Sequence, residues 1–356
     1  MQRRIIILLA ALVVAFMFVG AASAATPVNT KATVGATVPT GPQANSQVSS
    51  SGPRVVWEQY DATTAISNVW VKNINTGNTQ VVAANSRDQS SPDILMDVVT
   101  WQQTNPSTNN VNIYIRNITS GAFGLVNAIA TDESGAKLGL NQSGMIVVWQ
   151  QSFFPGNVGF QQIYSKKVAA TGTVWGLAGI LRPSFEDQTN PDVSRNMATW
   201  QEFNPNTDAQ NVVFFDLENS NNAFIDPSTY DQTNPKISEH NIVWVEDQRI
   251  MLGNVDVFWL LGSSGDRILP GILQRQSAPD ISGNRIVFVQ QKLLTFAQQI
   301  WVYNFVTGNA AIVTSSVLPQ IEPAIDGNYV TWTNVMAMFN NIQWRNIATG
   351  QHGKLT

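Results

Sequence analysis

The side chains able to bind or react recur at fixed places in this sequence. The pentapeptide DQTNP stands at 187–191 and again at 231–235. Its aspartates, Asp187 and Asp231, have a counterpart in Asp88, and the glutamine beside them recurs as Gln89, Gln188, Gln232, Gln276 and Gln320. Carboxylates gathered at one mouth are the chemistry of a shared cation. A ring of amides is the chemistry of a hydrogen-bonded small ligand or glycan. Arg275 and Pro319 replace the aspartate in later copies, so no metal is assigned. The glutamines admit a second reading, as amides that bond backbone groups between structural units. Catalytic options are thin. The chain has no cysteine and two histidines, His240 and His352, which removes thiolate chemistry and gives a Ser-His-Asp triad no well-placed base. His240 falls in a turn and His352 in the last strand. No carboxylate pair is singled out by spacing for glycoside hydrolysis. We therefore assign no catalytic residue and expect no cofactor.

A repeat positions these residues. Short apolar runs end on Trp57, Trp101, Trp149, Trp200, Trp244, Phe288 and Trp332, at spacings of 44, 48, 51, 44, 44 and 44 residues. Nine residues before the aromatic stands Pro92, Pro191, Pro235, Pro279 or Pro323, with Val48 and Leu140 at that distance in the first and third units. Asn before proline is expected to be extended. Each unit reads as four short strands, the third closed by a turn such as NINTG or NFVTG. Four-stranded units of this length, repeated seven times, predict an all-β fold, a seven-bladed β-propeller of antiparallel blades over residues 47–356. Runs such as RVVW and IVVW lack polar alternation, as expected of strands covered on both faces.

The stretch PDISGNRIVFVQ…QIWVYNFVTG…AAIVT (279–314) resembles the repeat of TolB-type propellers, in which proline, a D-G turn, an apolar strand, I-Y and T-G follow in this order. ISGN and IDGN occupy the D-G turn here. The S-G-N-x-I-V-W variant is similar to secreted propellers of methanogenic archaea. The resemblance implies fold and says little of function. The seventh unit reaches Thr356, so a peptidase domain of the kind that follows related propellers is not expected.

Outside the repeat, Arg3 and Arg4 precede an apolar run at 5–20 and the small residues AASAA. That pattern predicts a secretory signal peptide over 1–24, cut after Ala24, with an uncleaved anchor as the other reading. Residues 25–46 read as a Pro/Gly-dotted linker. The expected location is secreted or at the cell surface. Charged residues make up 12% and the net charge is −4, so no basic footprint for nucleic acid exists. Sequons occur at Asn117 and Asn141.

Alternating strand directions place the strand two–three loops on the same face as the links between blades. In units five to seven these loops read as apolar: Ile250, Met251 and Leu252, then Leu293, Leu294 and Phe296, then Met336, Met338 and Phe339. Unit three adds Phe153 and Phe154. One expectation is a partner interface; the other is that the loops bury one another. The functional expectation is an exported, non-catalytic module that binds protein or glycan of the envelope, with self-association as a further possibility. The alternative is a hydrolase or lyase acting on extracellular polysaccharide.

Overall fold

The computed structural model describes residues 48–61, 63–129, 131–152, 160–169, 171–246, 249–254, 266–267, 274–292, 295–314, 316–336 and 340–355. The expected signal peptide and linker lie outside them. The described residues form separate four-stranded antiparallel sheets, each built from consecutive strands: 48–81, 89–125, 133–180, 188–224, 232–267, 274–312 and 320–354. We number them blades one to seven. Six end on an outer strand of three residues or more; the fifth ends on Asp266–Arg267. The innermost strands touch one another in sequence, and that of blade seven touches that of blade one. The protein is thus an all-β propeller.

The repeated aromatic explains the packing. Seven buried clusters fill the spaces between blades, and each contains the aromatic of the blade that follows it round the ring. Trp57, Trp101, Trp149, Trp200, Trp244 and Phe288 are fully buried. At the closing seam Val55, Trp57, Trp70 and Val81 of blade one meet Ile342 and Leu355 of blade seven. Among the described residues, each of these two sheets is drawn from its own stretch of chain.

Two details depart from expectation. The residue before the strand-one proline is left-handed: φ is 50° at Ser91, 54° at Asn190, 53° at Asn234, 47° at Ala278 and 52° at Glu322. Each sits at a register shift between strands one and two. The bulge turns the proline into the inter-blade core, and this packing overrides the local preference for extended backbone. In blade three the same place is taken by Gly135 (φ 63°) followed by Ala136. Leu140 therefore does not replace the proline. Strands one and two of this blade, Glu133–Asn141 and Gly144–Ser152, are nine residues each and run further past the bulge than in blade two, where both have seven.

Candidate functional site

The motif aspartates and glutamines lie where one blade joins the next. Asp88, Asp187 and Asp231 each accept an N–H at the start of strand three of the preceding blade: Ser67 at 2.8 Å, Gln161 at 2.8 Å and Gln210 at 2.9 Å. Asp132 does the same for Val111 at 2.7 Å. Two residues further along that strand, the N–H groups of Val69, Ile163, Val212 and Ile250 donate to the amide oxygens of Gln89, Gln188, Gln232 and Gln276 at 2.9–3.0 Å. The amide nitrogens donate onward. Gln188 reaches Arg182 O and Glu202 Oε2, both at 2.9 Å, and Gln232 reaches Asp226 O at 2.8 Å and Glu246 Oε2 at 2.9 Å. Gln320 differs: its Oε1 accepts Trp332 Nε1–H at 2.6 Å, while the Ile300 N–H turns to Thr314 at 3.1 Å.

Gln89, Gln188 and Gln232 are fully buried, and Gln276 and Gln320 nearly so. Their oxygens and, where traced, their nitrogens are used within the fold, which is the second of the two readings given for them. In blade three Glu133 stands in for the glutamine and accepts Ile113 N–H at 3.0 Å. Burial raises its carboxyl to about 8, against the pull of that bond and of Asn112. Asp187 and Asp231 are exposed at their outer side and remain on the face of the blade links.

A second set of bonds ties the other end of strand one. The oxygens of Ser51, Ser194, Ser238 and Ser282 accept the turn N–H of Met96, Glu239, Gly283 and Gly327 in the next blade at 2.8–3.0 Å. At the seam Asp326 takes the serine's place and accepts from Gly52. These bonds give the serine of the P-x-x-S turn its role.

The sequence reading missed the residue that follows the bulge. Strand-one register places Ser49, Asp93, Lys137, Asp192, Lys236, Asp280 and Ala324 at equivalent positions, each opposite the residue before the aromatic. Asp93, Asp192 and Asp280 each use Oδ2 to accept a backbone N–H of the next blade, from Leu138 (2.9 Å), Ile237 (2.9 Å) and Ile325 (2.7 Å). Lys137 pairs with Asp93 at 3.1 Å. Its charge is held by Asp93, Asp192 and Asp280 together, which belong to three different blades; such reach exists only near the axis of the ring. The alternation of acid and base was readable in the sequence, but the longer blade-three hairpin took Lys137 out of the column counted from the tryptophan.

The expected partner residues divide. Ile250 is a correction: it is fully buried against Val243, Ile281, Ile286 and Phe288. It belongs, with Met251 and Leu252, to the strand Arg249–Asn254, not to a loop. The register of blade five begins strand three directly after strand two, because RIML pairs with IVWV. Phe296 is 70% exposed, and Met336 is half-buried with its sulfur 2.8 Å from Asn341 Nδ2. Phe153, Phe154, Leu293, Leu294, Met338 and Phe339 lie outside the described residues. On the same face, Phe160 and Phe185 meet edge to face at 6.4 Å, and Tyr230 is exposed. Asn117 is a second correction. It is 7% exposed, its Oδ1 caps the turn N–H groups of Thr119 and Ser120, and a Cβ added at Gly172 would lie 2.5 Å from its Cβ. Asn117 is thus a mostly buried side chain that holds a turn of the fold. Asn141 is half-buried, with Oδ1 bonded to Ser143 N–H. His352 is exposed beside Gly350 O, and His240 sits in the turn of blade five.

No family model matches the chain, and no curated protein matches it. Solved structures do. A puromycin-hydrolyzing peptidase of Mycobacterium tuberculosis superposes with a TM-score of 0.66 at 12% identity, over 87% of this chain and 53% of that one. The β-propeller domain of the Trilobed protease from Pyrococcus furiosus, whose ring has an open velcro topology, gives 0.65 at 9% identity over 89% and 98%. TolB from Acinetobacter baumannii gives 0.50 at 10% identity over 84% and 62%. The chain spans about half the length of the first of these, the peptidase. At such identities the likeness establishes the propeller fold alone.

Proposed function

We propose that this protein is an exported, non-catalytic, seven-bladed propeller that captures a protein or glycan of the cell envelope through the face carrying the strand two–three loops and blade links. The observation behind this reading is the placement of exposed aromatics. Among the described residues, the exposed aromatic side chains are Phe160, Phe185, Tyr230 and Phe296, together with Trp175 on the outer strand of blade three. The four Phe and Tyr side chains all fall in those loops and links. Val317 and Leu318, in the link before blade seven, add apolar surface on that side. Exposed aromatics set among Asn, Gln, Ser and Thr suit stacking on sugar rings as well as protein contact. Export follows from the signal segment at 1–24, and the likeness to secreted archaeal propellers is part of the same proposal.

The test uses the chain without residues 1–24, immobilised and presented with an envelope glycan array and purified envelope proteins. Phe185→Ser with Tyr230→Ser is expected to abolish capture while the melting temperature holds. Capture that survives both changes would reject this face as the binding surface.

A further inference from the structure

The axial charges are only partly used by the bonding between blades. Asp93 is complete: Oδ2 holds Leu138 N–H and Oδ1 holds the Lys137 ammonium. The neighbouring trio is not. Asp192 and Asp280 commit one oxygen each to backbone, and neither forms an ion pair among the described residues. Lys236, on the blade between them, likewise forms no ion pair there. Yet its charge is the strongest one holding down the proton affinity of both carboxyls. Register sets the three groups at equivalent places on the innermost strands of blades four, five and six, and no carboxylate–ammonium pair among them is close enough to form an ion pair. On the far side of the ring, the register positions of blades seven and one carry small residues, Ala324 and Ser49.

A carboxylate, an ammonium and a second carboxylate, carried side by side on three adjacent innermost strands and not paired with one another, match a ligand that carries both signs of charge. A ligand ammonium would donate to the free oxygen of Asp192 or Asp280, and a ligand carboxylate would accept from Lys236. Charge-assisted bonds of this kind run to about 2.8 Å each, so such a molecule bridges groups that direct ion pairing leaves apart. We propose that the axis of the propeller, between Asp192, Lys236 and Asp280, is a binding site for a small zwitterion of the α-amino acid class. This site is separate from the capture face and stands whether or not that reading holds. Burial raises Asp280 to about 6, with Asp192 adding to the rise and Lys236 and Lys137 opposing it. Above that pH Asp280 is the anion the ligand ammonium needs; below it the proton takes the ligand's place.

Isothermal titration of the protein with glycine, alanine and serine, and separately with methylammonium and acetate, tests the site. At about pH 8 an amino acid is expected to bind at least roughly tenfold tighter than either half-ligand. Lys236→Met and Asp280→Asn should each weaken it by at least about tenfold. The asparagine keeps an oxygen for Ile325 N–H, so this variant retains the fold, and thermal melting of both variants checks it. Binding should also fall at about pH 5, where Asp280 is protonated. Methylammonium or acetate binding as tightly as the amino acid would overturn the proposal, as would unchanged binding in the two variants. Binding of none of the five would show that the three groups hold only water.

Discussion

The interface between blades four and five and the seam between blades seven and one do the same job with different means. At the first, Gln232, Asp231, Asp192 and Ser194 bond backbone across the interface, and residues 225–231 join the blades covalently. At the seam the described contacts are noncovalent. Its described polar bonds are Asp326 to Gly52 N–H, Tyr329 Oη–H to Asn75 Oδ1 at 2.8 Å, and Lys72 Nζ to Leu355 O at 3.1 Å. What the two share is apolar: Trp244 in one cluster, Trp57 in the other, both fully buried. The aromatic wedge therefore closes the ring, while the amide network fixes how each blade sits on its neighbour.

The strongest way to break this comparison is to remove a wedge. Trp57→Ala and Trp244→Ala should each cost about 3–5 kcal/mol in chemical denaturation. Hydrogen exchange should separate them: the seam variant exposes amides of blades one and seven first, whereas the linked interface opens only with global unfolding. Equal exchange in both would mean that the covalent links contribute nothing to interface strength. Next in size is Gln232→Leu, which leaves the buried Val212 N–H without its acceptor and should cost about 1–3 kcal/mol. At the seam, Lys72→Met removes one half-exposed bond to a carbonyl and should cost about 1 kcal/mol or less.

The interface between blades two and three sharpens the role of the amide, because Glu133 stands where others have glutamine. Its folded-state value near 8 lies above the ordinary carboxylate value of 4.5. The folded state thus holds the proton more tightly than the unfolded one. Its contribution to stability is full below pH 4.5 and is lost as pH rises toward 8. Glu133→Gln should flatten that part of the stability–pH curve and raise the melting temperature at pH 8, with little change at pH 4. A variant whose melting temperature falls at pH 8 would show that the charged form is the better fit. The smallest effect is expected from Asp326→Ser, which gives the seam the serine used at four other interfaces. It should shift stability by less than about 1 kcal/mol.

The fold was legible because one residue type at one spacing has one use. A tryptophan or phenylalanine every 44 to 51 residues can fill the same wedge in each unit, and in five units the proline nine residues earlier marks the strand that begins it. The site was less legible. Counting back from Trp149 lands on Leu140, but the hairpin of blade three is longer, and the matching stretch is DESGAK, with Glu133, Ala136 and Lys137 in the places of Gln89, Pro92 and Asp93. Without that correction the axial alternation of Asp and Lys stays hidden. RIML reads equally as an apolar loop or a strand; only its pairing with IVWV decides. Nor does the Asn117 sequon reveal that its amide is already holding a turn.

Because each sheet is drawn from one uninterrupted stretch of chain, the ring resembles a string of beads closed by contact. Cutting the chain at any link between blades and rejoining it elsewhere would leave each sheet whole, so circular permutation has many permitted sites. For the same reason, a duplication or loss of one 44-residue unit changes the curvature the wedges must fill, but divides no strand from its partners. The number of blades is then a packing outcome, open to selection one unit at a time.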